Sequence, residues 1–224
     1  MLKLVPAKGS RARVAGGLVC WLVLGYFSVL MARITLGYWP LRSDAGFLQI
    51  KQQYLGISHW EVAFWVHVAV SMLALLAGFT QFAPRVLGRW PALHRGVGRM
   101  YVVVVCVVSG PASLIMGLYA NGGVTSRIAF CILAVLWIAT TARGWQCARQ
   151  RRRADHREWM IRSYALTLSA ITLRAWKVAL VFAFEPRPMD LYRLVAWLGF
   201  VPNLLVAEWL IRRHRRNKAA NKTT

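Results

Sequence analysis

The chain has 224 residues, one domain's worth, with 58% hydrophobic and 16% charged residues, where soluble domains average about 45–50% and about 25%. A net charge of +22 is of the size that nucleic-acid binders carry. Here the basic residues alternate with runs that need lipid, so the positive-inside bias accounts for them and nucleic acid is not expected as a partner.

A spanning helix needs about 20 mostly apolar residues, and six stretches qualify: residues 14–36, 60–83, 100–120, 126–148, 159–184 and 191–211. The first lacks a small-residue cleavage site, so it reads as a retained anchor and not a cleaved signal. Between the first two lies the longest connection, 37–59. It opens on the turn residues Gly37, Pro40, Ser43 and Asp44, after which residues 44–56 are expected to form a short amphipathic helix at the interface. The third stretch is interrupted by Gly110-Pro111 and is expected to be kinked. The fifth carries Arg162, Arg174 and Lys177. The polar, basic tail after Arg212 reads as disordered. Trp39, Trp60, Trp65, Trp90 and Trp209 fit interfacial belts. Cys20, Cys106, Cys131 and Cys147 show no metal-binding spacing and read as buried free thiols.

Orientation follows from the loops. Lys3, Lys8, Arg11 and Arg13 precede the first stretch. Arg85, Arg89, Arg95 and Arg99 follow the second, and Arg149, Arg151, Arg152, Arg153 and Arg157 follow the fourth. Arg212, Arg213, Arg215, Arg216, Lys218 and Lys222 make the tail, while the opposite loops hold only Arg42, Lys51, Arg127, Arg187 and Arg193. Six helices with both termini cytoplasmic satisfy this alternation, and losing one would put a basic loop outside. The expected protein is therefore an all-α polytopic membrane protein. It has a basic N-terminus (1–13), a six-helix domain (14–211) and a basic tail (212–224), with anionic lipid headgroups as partners of its basic loops.

Two sets of groups are placed to carry chemistry. On the cytoplasmic side His94-Arg95 is followed by Arg99 and Tyr101, and His156-Arg157 by Arg162 and Tyr164; both pairs stand at a helix entrance, 62 residues apart. Parallel repeats about an axis along the membrane normal would produce this echo. Two neutral imidazoles from different helices are what six-coordinate b-type haem requires. Arg95, Arg99, Arg157 and Arg162 would then balance its propionates. The competing reading is a loop network in which Arg162 bonds Asp155 or Glu208. On the outer side His67 lies about two turns inside a span, Arg174 reaches a similar depth, and Glu61 and Lys177 lie near the same surface. An ionisable group at that depth is a functional hypothesis by default; an interhelical salt bridge beside a satisfied histidine is the plain alternative. No nucleotide loop, zinc motif or hydrolase elbow is present, and no catalytic residue is assigned.

Five blocks carry a resemblance: His67 with GFTQFAP at 78–84, LHRGVGRMY at 93–101, NGG at 121–123, HREWMIRSYALT at 156–167, and Arg174 after it. In these the chain resembles a bacterial family of predicted membrane proteins, domain of unknown function 2306. The resemblance implies membrane location and supplies no reaction. The expected function is a redox or cofactor-binding role with haem b or quinone, using His94 and His156 as axial ligands. The alternatives are a small-molecule transporter or binding protein using His67, Arg174 and Glu61, and a scaffold or assembly factor.

Overall fold

A computed structural model describes residues 8–221. Lys3 and Lys222, and the side chains of Lys8, Arg11, Arg13 and Cys20, lie outside the described residues. Among those described the chain is helical and has no strand. The helices are α1 (Lys8–Leu36), α2 (Ser58–Gln81), α3 (Pro84–Arg89), α4 (Pro91–Val103), α5 (Gly110–Leu118), α6 (Val124–Arg149), α7 (Arg153–Thr167), α8 (Ser169–Phe184), α9 (Pro188–Leu198) and α10 (Val201–Ala220). Five runs are long and apolar enough to cross a membrane: Gly16–Leu36, Ser58–Gln81, Pro91–Leu118, Val124–Arg149 and Pro188–Ala220. The bent pair α7–α8 makes up to six when counted as one span.

Each break has a local cause. Pro111 supplies no N–H and its ring crowds the carbonyl four residues back. The chain answers with a π turn over Val104–Ser109, which joins α4 to α5 without ending the span. The 41° bend between α7 and α8 contains no proline. It falls beside Thr167, whose hydroxyl bonds the Ser163 carbonyl at 3.2 Å, a back-bond that bends helices. Pro202 leaves the Leu198 carbonyl without its helical donor, so α9 stops there and α10 restarts with the proline in its first turn.

In lipid, helix association gains nothing from escaping water, so close backbone approach and interhelical hydrogen bonds hold the bundle. Ala74, Ala77 and Gly78 on α2 and Ala129 and Ala134 on α6 are buried in the core. Gly78 is required: a Cβ there would stand 1.9 Å from the Tyr164 hydroxyl oxygen, and that hydroxyl donates to the Leu75 carbonyl at 2.8 Å. The second and fifth spans therefore touch. Outward, the spans present apolar side chains such as Phe182, 92% exposed, which suits a lipid surface.

Three expectations change. Residues 44–56 form two short 3₁₀ turns, Gly46–Ile50 and Gln52–Tyr54, in place of an interfacial amphipathic helix. Leu48 and Lys51 are fully buried, and Gly46 at φ +54° lies against the Tyr38 ring, so the segment tucks into the bundle end. Trp60 is buried, not a belt residue, and stacks on Phe64 at 5.7 Å. The tail does not fray after Arg212, because α10 continues to Ala220. Arg215 pairs with Glu158 at 2.7 Å, and Arg157 meets His214 at 3.0 Å, docking this stretch on α7. Cys106 and Cys131 are half-buried, Cys147 is buried, and all three are free.

Candidate functional site

The end of the bundle rich in arginine gathers the end of α2, the starts of α4 and α7, and the ends of α6 and α10. Its geometry is set two turns deeper. There the Tyr101 hydroxyl of α4 bonds Ser163 at 2.7 Å and Thr167 at 2.8 Å on α7. From α6, Thr141 meets Ser163 at 2.6 Å and the Trp137 Nε1–H donates to Thr167 at 2.9 Å. Every member of this network is buried, and satisfied buried networks of this kind fix helix register.

His94 and Tyr101 are seven residues apart, and so are His156 and Ser163. Seven residues are two helical turns, about 10 Å, so each histidine lies on the same face of its helix as the hydroxyl below it. Tyr101 bonds Ser163, and His94 and His156 stand at one level two turns above that bond, within electrostatic reach of each other.

The two rings are held differently. His156 Nδ1 bonds the Gly144 carbonyl of α6 at 2.8 Å. A carbonyl only accepts, so Nδ1 carries the proton and Nε2 presents its lone pair. Gly144 permits this closeness, since a Cβ there would lie 2.6 Å from Met160 Sδ. On α4, Gln81 donates to the His94 carbonyl at 3.1 Å. The His94 side chain is the less satisfied: its Nδ1 is buried and has no hydrogen-bond partner.

The arginines divide. Arg162 forms a two-bond ion pair with Glu208 of α10, its Nη2 at 3.1 Å, and stacks over Trp159 at 4.7 Å. Arg157 contacts His214. Arg95 and Arg99 are exposed and form no ion pair among the described residues, with Arg95 in electrostatic reach of His94. No group of three or more His, Cys, Asp or Glu side chains converges on a metal site among the described residues.

At the opposite end the predicted outer residues separate. Glu61, in the first turn of α2, turns to the preceding loop, where its Oε2 accepts from the Gly56 backbone at 3.4 Å. His67 and Arg174 are within electrostatic reach of each other, and Lys177 on the next turn of α8 is exposed. His67 Nδ1 meets the Ser109 and Ser113 hydroxyls, each at 2.9 Å.

Lys51 was not singled out by sequence reasoning. Only 1% exposed, it donates to the Tyr119 carbonyl and to Asn121 Oδ1 at 2.7 Å, and lies over the Tyr54 ring at 4.6 Å. Burial, with Arg127 nearby, pushes its ammonium down to about 8. A lone lysine in a polar loop carries no signal of burial; the NGG segment that receives it was the only hint.

No curated protein and no solved structure matches the chain. A family model for predicted membrane proteins matches residues 64–211, which takes in His67, the Tyr101 network, His94, His156 and the Arg162–Glu208 pair. The chain belongs to that family, the predicted membrane proteins designated DUF2306.

Proposed function

We propose that the protein is a membrane cofactor-binding protein of redox type, holding b-type haem between His94 and His156. The observation that supports this reading is the Tyr101–Ser163 bond, which brings His94 and His156, each two turns above it on its own helix, to one level and within electrostatic reach. One ring is fixed by a backbone carbonyl so that Nε2 is free to ligate, the outer-shell arrangement usual for ligating histidines. On the other ring Nδ1 is covered by protein, so Nε2 would be the nitrogen that ligates. Two imidazoles are too few for a bare structural metal, which takes four protein ligands; a porphyrin brings four nitrogens of its own and asks the protein for two.

In this reading Arg95 and Arg99 balance propionate charge, while Arg157 and Arg162 hold α10 against α7. We take the arginine-rich end as cytoplasmic, in a bacterial inner membrane with anionic headgroups around it. The test is haem stoichiometry in detergent-purified protein expressed with ample haem. Wild type should retain close to one haem per chain, and His94→Ala and His156→Ala should each lose it while eluting as folded protein. Equal haem content in folded wild type and both variants would refute the assignment.

A further inference from the structure

The two sides of α10 have different surroundings. On one, Ala207 and Ile211 are buried, and Glu208 and Arg215 bond Arg162 and Glu158 of α7. On the other, Leu205 is 66% exposed and Trp209 57%, and Arg212, Arg213 and Arg216 beyond them are exposed as well. These five residues, with Glu208 and Asn217, line one groove of about 390 Å³. Their spacing of three and four residues is that of a single helix face.

The groove changes character along its length. The run Pro188–Ala220 is long and apolar enough to span, and hydrocarbon takes about 20 residues of it. The lipid boundary therefore falls close to Trp209, an interfacial residue type. Leu205 lies on the hydrocarbon side, and from there to Arg216 the helix rises about 16 Å into a cluster of arginines. Their charge is not neutralised by protein. Glu208, the carboxylate in the groove, gives both oxygens to Arg162. Arg212, Arg213 and Arg216 form no ion pair among the described residues. Arg213 lies over the Trp209 ring at 5.3 Å, which holds one guanidinium at the boundary itself. Like charges four residues apart on a helix, here Arg212 and Arg216, repel, and an anion between them removes that cost.

The occupant must be apolar on the hydrocarbon side and anionic at the aqueous end. An anionic phospholipid is both: its acyl chain can run along Leu205 and Trp209, and guanidinium forks match phosphate oxygens in pairs. A soluble anion makes no use of the apolar half, and a zwitterionic headgroup carries its own cation into the arginine cluster. We infer that this face of α10 is a binding site for one anionic phospholipid, with Arg212, Arg213, Arg216 and Asn217 on the headgroup and Leu205 and Trp209 on the acyl chain. The site is one groove on one helix, distinct from a general attraction of basic loops for headgroups, and it is independent of the haem assignment.

The test is native mass spectrometry of the full-length protein in detergent at fixed ionic strength, titrated with dioleoyl phosphatidylglycerol or dioleoyl phosphatidylcholine. Wild type should bind the first phosphatidylglycerol about tenfold more tightly than phosphatidylcholine, the gain from a net negative charge beside several arginines. Arg212→Gln combined with Arg216→Gln should abolish most of that preference. Arg151→Gln combined with Arg153→Gln removes the same charge elsewhere at this end of the bundle and should leave it intact. Leu205→Ser keeps every charge and should weaken phosphatidylglycerol about fivefold; it decides the matter if the Arg212–Arg216 variant fails to fold. Glycerol phosphate in excess should not displace the lipid. Equal affinities for the two lipids in wild type, an equal loss in both arginine variants, unchanged binding in folded Leu205→Ser, or displacement by glycerol phosphate would each overturn the inference.

Discussion

The Tyr101 hydroxyl meets the Ser163 hydroxyl at 2.7 Å across 62 residues of sequence, the same separation as His94 and His156. Because each histidine lies two turns above its hydroxyl partner, one buried hydrogen bond sets the register that brings the two histidines to one level. Tyr101→Phe keeps the ring and removes the hub, leaving Ser163 and Thr167 short of a partner in a dry interior. A loss of about 1–3 kcal/mol is expected, read as a lowered midpoint in thermal unfolding in detergent. An unchanged midpoint would mean that the network contributes nothing to helix register.

Gly78→Ala should be among the most damaging small substitutions in the protein. Its Cβ would sit 1.9 Å from the Tyr164 oxygen and 2.2 Å from the ring carbon bearing it, so α2 and α7 must separate. Overpacking of this severity costs about 3 kcal/mol or more. The Tyr164→Leu background should recover most of the loss, and a double-mutant cycle on thermal midpoints checks it. Additive effects would place the strain elsewhere.

Arg162 and Glu208 tie α7 to α10, with side chains 17% and 35% exposed. Glu208→Gln strips the guanidinium of its counter-charge in a largely dry setting, at a cost of about 1–3 kcal/mol. Arg162→Met combined with Glu208→Met should be less harmful than either charge removed alone. Limited proteolysis of α10 reports the undocking: Glu208→Gln should be cut faster, the double variant at nearly the wild-type rate.

Lys51 makes stability depend on pH in a definite direction. Its folded value of about 8 lies below the ordinary 10.5, so between these pH values the unfolded chain binds the proton that the folded chain has released. Stability therefore rises as pH rises from about 8 toward 10.5, and below pH 8, where both states are protonated, the cost of burying the charge is constant. The thermal midpoint should climb between pH 7.5 and 9.5, and Lys51→Met should flatten that climb. A wild-type midpoint that falls over this range would contradict the burial of a charged ammonium here.

The spans were legible because apolar length and arginine placement are strong, local signals; the second and fourth runs shift by no more than two residues at their ends, while the third and fifth begin nine and six residues earlier than expected, at Pro91 and Arg153. The Arg162–Glu208 partnership was also anticipated, as one of two options. The loop over 44–56 was misread because its apolar spacing serves a tertiary fit to Tyr38 and Phe64 instead of an interface. The helical tail was missed because the docking carboxylate, Glu158, lies 57 residues away in sequence from Arg215. The 62-residue echo was visible, but only the Tyr101–Ser163 bond gives it a geometric meaning. Lys51 was invisible because a lysine's burial depends on acceptors 68 and 70 residues further on.

The proposed ligation of haem by His94 and His156 is tested most directly by oxidised and dithionite-reduced absorbance spectra of detergent-purified protein from haem-replete cells, with a pyridine haemochrome assay for stoichiometry. A Soret band with sharp reduced α and β bands, at close to one haem b per chain and absent in His94→Ala and His156→Ala, is the predicted result. A monodisperse, thermally cooperative protein without colour would contradict it.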